Sequence, residues 1–257
     1  MLRVNNYNYS SWGNYDNIAD IRQLLKSTEW FDAFTEIYTA TELADMTKFI
    51  NDNRNADMFP YPDLLFEALR KTPISRIKVV IIGQDPYFNK HNDVPEAMGL
   101  SFSVPVGMQI PSSLNNIYRN GIIYKHIAEY PTHGNLESWA YQGVLLLNSS
   151  LTVLDGRKNV HQKFWAKYTD KIVKYISDKC DHVVFVLWGS YALDRASAID
   201  TSKHRIVGSS HPSGLSCNTP VRSYGAFMKV DQFGEINKHI ESMNMQPIVW
   251  QLVNYIC

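Results

Sequence analysis

Three residues of different chemistry recur at the same kind of place in this 257-residue chain: Asp85, Asn148 and His211 stand about sixty residues apart, each beyond a short apolar run. An acid, an amide and an imidazole together can orient a water, select a hydrogen-bonding partner and stabilise a developing anion. Around the first, Gly83 and Pro86 set a turn that closes the run Lys78–Ile82 and presents Gln84, Asp85 and Tyr87. Taken singly, Asp85 reads equally well as a turn-former bonding its own backbone, and Tyr87 as packing; Asn148 alone reads better as a strand-ending turn and His211 alone as a satisfied loop histidine. Their repetition after apolar runs favours one cleft for all three.

The elements that must position them follow from the same runs. Lys78–Ile82 reads as a strand buried on both faces, and the strand pattern repeats at Val144–Leu147, Val183–Leu187 and Arg205–Val207. Between and around them, helical spacing predicts segments over Asp63–Lys71, from Ser112 (as a serine cap) through Ala128, near Leu136–Gln142, over Gln162–Ser177 and over Ser190–Ala198. Amphipathic helices are expected between Asp20 and Asn53, where apolar residues recur every three to four positions. Strands alternating with helices of this length imply parallel pairing, hence a three-layer α/β/α domain around a four-stranded parallel sheet. Ligands of such sheets bind outside the carboxyl ends of the strands, where Asp85, Asn148 and His211 all fall. Residues 1–17, rich in Asn, Tyr and Ser without period, are expected to form an extended or mobile arm, and residues 18–257 a single domain.

Composition narrows the class. No apolar run approaches the roughly 20 residues needed to span a bilayer, and the first residues lack the apolar core of a secretory signal, so a soluble intracellular protein is expected. The three cysteines are scattered, which argues against a disulfide framework or cluster, and no metal-binding or phosphate-cradling motif occurs. Formal net charge is zero from 25 basic and 25 acidic residues. The charge is uneven, however: residues 1–73 carry seven basic against eleven acidic side chains, and residues 157–229 twelve against five. The second stretch is compatible with a basic surface and equally with solvated helix faces.

Six motifs in order carry a resemblance: G-Q-D-P-Y at Gly83–Tyr87, G-L-S-F-S-V-P at Gly99–Pro105, P-S-S-L-N-N-I-Y at Pro111–Tyr118, W-A-Y-Q-G-V-L-L-L-N at Trp139–Asn148, L-W-G-S-Y-A at Leu187–Ala192 and H-P-S-G-L-S at His211–Ser216. Over roughly residues 29–250 the chain resembles the family-1 uracil-DNA glycosylases. That resemblance implies an enzyme that flips uracil out of DNA and hydrolyses its glycosidic bond, initiating base excision repair. The implied partner is uracil-containing DNA, single- or double-stranded, bound by a monomer without membrane, cofactor or metal.

The resemblance also implies roles. Asp85 would hold the attacking water and His211 the developing charge on uracil O2; Phe102 would stack on the base, Asn148 read its edge, Tyr87 exclude the thymine methyl, and Gln84 offer backbone contacts. Pro111, Ser112, Ser113, His161 and Ser213 would hold phosphates, and Leu215 would enter the vacated stack. Four departures stand out: Phe88 in place of the family's usual His, Val160 in place of Ser, Gly214 in place of Pro, and a longer Cys217–Gln232 segment. Two other readings are a catalytically silent DNA-binding adaptor, which would show decayed catalytic motifs, and an enzyme of free nucleotides, which would want a glycine-rich phosphate loop. Neither signature is present.

Overall fold

Val79, Val80, Ile81 and Ile82 can be buried on both faces only if neighbouring strands cover their edges and helices their faces. The computed structural model, which describes residues 8–55 and 57–254, does both. Strands β1 (Val79–Gly83), β2 (Val144–Asn148), β3 (Val184–Trp188) and β4 (Arg205–Ser209) form one sheet in the order β2-β1-β3-β4. Every pairing is parallel, and helices flank the sheet in the expected three-layer arrangement. The register sets Gly83 opposite Asn148 and Trp188 opposite Ser209, so four strand ends reach a common edge.

Helix boundaries move where packing overrides periodicity. The helix that starts at Ser112 ends at Ile123 rather than Ala128, because Lys125 takes a φ of +65° and the N–H groups of His126 and Ile127 both return to Gly121 O, at 2.7 and 3.1 Å. Its cap position is Pro111, and no serine side chain caps it. Asp63–Lys71 divides into a 3-10 turn at Pro62–Leu64 and a helix at Glu67–Lys71, with Phe66 outside helical geometry between them. Ser190–Ala198 likewise divides into a helical turn at Ser190–Leu193 and a 3-10 turn at Asp194–Ala198. Two short antiparallel pairings, Met58–Phe59 with Val153–Leu154 and Lys90–His91 with Val94–Pro95, are too brief to show a period in sequence.

Of the expected arm, residues 1–7 lie outside the described residues, as does Cys257. Within the remainder, Trp12 is fully buried and its indole donates to Pro60 O at 2.7 Å. A buried tryptophan with its N–H satisfied is an anchor that ties this stretch to the domain at Trp12. Among the described residues no helix is long and apolar enough to cross a membrane.

Candidate active site

The turn after β1 is held by its neighbour across the sheet. Ser149 and Ser150 donate their N–H groups to Gly83 O and Gln84 O, at 3.0 and 2.9 Å, which fixes the backbone that carries Asp85. Beside it opens a cavity of about 250 Å³. Gln84, Asp85, Tyr87, Phe102, Ser113, Asn148 and His211 all line it, so seven of the sequence-derived residues converge there. Pro111 and Ser112 start the helix that contributes Ser113.

Asp85 is poised between charge and burial. Desolvation pushes its carboxyl above the ordinary value of 3.8, partly offset by the Asn159 N–H, 3.2 Å from Oδ2, and by the nearby Ser150 hydroxyl. That hydroxyl is itself committed as a donor to Thr152 O at 2.9 Å. Oδ1, although buried, takes no hydrogen bond from the protein. It is therefore an acceptor left without a hydrogen-bond partner in the protein.

His211 offers the complementary function. Its Nδ1 accepts the Ser213 N–H at 3.0 Å, and burial pushes the imidazole below its ordinary value of 6.5. A neutral ring whose Nδ1 is an acceptor carries its proton on Nε2, so His211 is an uncharged donor. Gly189, at a φ of +89°, lies beneath it: a Cβ there would come 2.9 Å from the His211 Cβ. From the other side, Asn116 on the helix Ser112–Ile123 donates to Pro212 O at 2.8 Å.

Phe102 holds its ring in place with a left-handed backbone, φ +62°, packing edge-on to Trp188 with centroids 5.6 Å apart. The Tyr87 hydroxyl donates to Phe102 O at 3.4 Å, a weak bond that ties one cavity wall to the next. Asn148 is buried, and its side-chain oxygen lies directly over Gly83.

Beyond His211 the chain turns back on itself. Ser213 O accepts from Ser216 N and Cys217 N at 3.0 and 2.9 Å, leaving Leu215 at the tip 98 % exposed. The longer segment that follows is closed by its own bonds: Met228 N to Cys217 O at 2.9 Å, and a reciprocal pair between Val221 and Tyr224. Phe227 N returns to the Ser210 hydroxyl at 2.9 Å.

His161 is not brought to this surface. It is 5 % exposed, its Nδ1 bonded to the Thr152 hydroxyl at 2.8 Å and its ring edge-on to Phe49, so it supports the loop from inside rather than facing a ligand. Sequence reasoning in turn missed Lys158 and Asn159, which line the cavity, and Ser190 and Tyr191, which line a second space of about 190 Å³ sharing Gly83, Gln84 and His211. The N-V-H stretch drew attention to Val160 and His161, one residue past Asn159.

A carboxylate, a neutral imidazole donor and an amide, gathered at parallel strand ends around a small cavity in an α/β/α fold, are groups able to orient a water and to stabilise a developing anion. The model of the uracil DNA glycosylase superfamily matches residues 70–240, and the chain belongs to that family. A probable uracil-DNA glycosylase of Acanthamoeba polyphaga mimivirus is 37% identical, the match covering 98% of this chain and 72% of that one. The uracil-DNA glycosylase of Acinetobacter baylyi is 39% identical, covering 87% and 91%. The crystal structure of the mimivirus glycosylase superposes with a TM-score of 0.88 at 37% identity, covering 96% of each chain.

Proposed function

We propose that Asp85, Asn148 and His211 carry out the reaction of this family: uracil is rotated out of DNA and its N-glycosidic bond is hydrolysed, leaving an abasic site at the start of base excision repair. The observation that carries the reading is the unpartnered Asp85 Oδ1 in the same cavity as the neutral His211.

Breaking the bond between deoxyribose C1′ and uracil N1 leaves positive charge on the sugar and negative charge on the base. The Asp85 carboxylate favours the cationic sugar and takes the proton that the attacking water gives up as its oxygen adds to C1′, while uracil leaves with the C1′–N1 electron pair. The His211 Nε2–H donates to uracil O2 as charge develops there; being neutral, it does so without the cost of burying a cation. Stacking on Phe102 holds the ring without choosing it. Choice falls to the Asn148 amide, which accepts from uracil N3–H and donates to O4, a pattern that cytosine reverses. Tyr87 occupies the side where thymine would bring a methyl group, and overfilling a packed wall is costly.

Pro111, Ser112, Ser113 and Ser213 hold the flanking phosphates, and the exposed Leu215 fills the gap left by the extruded base. Such contacts serve both single- and double-stranded substrate. The catalytic domain is a single unit, a reading supported by one apolar cluster that runs from Trp12 to Leu252.

The test is release of free uracil from a uracil-containing oligonucleotide. Wild-type protein should release it, and Asp85→Asn should lose about 10²- to 10⁴-fold in rate with substrate binding retained. No release by the wild type would remove the enzymatic reading.

A further inference from the structure

The loop from Asp155 to Asn159 is strapped across the catalytic turn. Asp155 N bonds Asp57 O at 2.8 Å, Gly156 N bonds Phe88 O at 2.8 Å, and at the far end Asn159 N reaches Asp85 Oδ2 at 3.2 Å. Asn159 makes a second contact in the other direction: its Oδ1 accepts from the Gln84 side-chain amide at 3.1 Å. Both contacts depend on a backbone φ of +62°, a conformation that asparagine and glycine adopt readily and that most other residues resist.

We propose that Asn159 is a positioning residue for the reaction, its left-handed backbone aiming one N–H at the Asp85 carboxylate while its side chain holds Gln84 in place. The inference rests on the reading of Asp85 as the water-holding acid. The Asn159 N–H donates to the charged form of that acid, against the desolvation that opposes charge, and fixes one oxygen so that the other remains free. The titratable groups that share the cavity with Asp85 are Tyr87, Lys158 and His211. Lys158 lies on the same strap, so a distorted strap moves a cation as well as a donor.

Backbone and side chain can be separated. Asn159→Gly keeps the left-handed turn and the N–H but loses the bond to Gln84. Asn159→Ala loses the same bond and also resists the turn. The measurements are the titration of the Asp85 carboxyl by carbon NMR and the pH profile of single-turnover uracil release, with KM and kcat resolved for each variant.

Asn159→Ala should raise the Asp85 midpoint by about half to one unit, and the acid limb of the release profile should rise with it. Asn159→Gly should leave both at the wild-type position while KM rises about threefold through the loosened Gln84. A folded Asn159→Ala protein with the wild-type Asp85 midpoint would overturn the inference. So would an Asn159→Gly protein with a shifted midpoint, which decides the matter alone if the alanine variant does not fold. An unchanged KM in Asn159→Gly would remove the Gln84 half. Failure of the underlying reading looks different: the wild type would release no uracil, while the NMR titration would still report whether Asn159 supports the carboxylate.

Discussion

The side-chain oxygen of Asn148 occupies the space that a side chain on Gly83 would need: a Cβ built there comes 2.2 Å from Asn148 Oδ1 and 2.8 Å from the Ser101 Cβ. Gly83 and Asn148 are register partners at the ends of adjacent strands, so the glycine is the floor on which the Asn148 amide rests. One of the two must give way if the floor is raised.

Gly83→Ala should therefore displace the Asn148 amide and depress uracil release by about 10²-fold, the scale on which small misplacements act. The fold should persist, with stability lowered by about 1–3 kcal/mol from overpacking. The check is single-turnover release together with denaturant unfolding; full activity in a folded Gly83→Ala protein would show that the amide tolerates displacement.

Asp85→Asn should be more stable than wild type at neutral pH. Burial raises the Asp85 carboxyl in the folded protein above its ordinary 3.8, so the unfolded chain gives up that proton more readily. The stabilising contribution is thus present below the ordinary carboxyl range and lost as pH rises through the folded value, and at neutral pH the charged acid opposes folding. Asparagine carries no such charge. Its melting temperature should exceed that of wild type at neutral pH, and the gain should shrink as pH falls toward 3.8. His211, whose value is lowered instead, loses its stabilising contribution as pH falls below 6.5, but it is common to both proteins and cancels. A neutral-pH melting temperature equal to or below wild type would contradict the assignment.

Gly214→Pro should tighten binding to uracil-containing duplex. A Cβ at Gly214 would meet nothing within 4 Å, and its φ lies outside the left-handed region, so the backbone accepts a side chain. Stiffening the free loop removes conformations that would be lost when Leu215 enters DNA, on the scale of about 0.4–1 kcal/mol, or about two- to fivefold in affinity. Single strands, which present no stack to fill, should respond less. Both affinities belong at one salt concentration, and weaker duplex binding by the folded variant would show that the loop needs freedom at this position.

The sheet was legible because three of its strands are nearly pure apolar runs, and the candidate site because the chemistry-bearing residues Asp85, Asn148 and His211 stand at strand ends. What escaped has two physical origins. Asn159 and the end of the helix at Ile123 owe their placement to a left-handed φ, at Asn159 itself and at Lys125, and a single asparagine or lysine announces no backbone angle in sequence. The burial of His161 and the anchoring of Trp12 escaped because partners distant in sequence decide them: Phe49 beside the imidazole and Pro60 at the indole. Local pattern carries no record of such partners.

The self-closed segment between Cys217 and Phe227 gives the lineage of this protein a place to vary. Its ends are pinned, by Cys217 N on Ser213 O and by Phe227 N on the Ser210 hydroxyl, while the span between them is stitched to itself. Lengthening a loop whose ends are already held costs little, because closure entropy grows only slowly with length. Insertions and deletions can therefore accumulate beside His211 without reaching it, leaving raw material for new surface contacts one short loop away from a fixed chemistry.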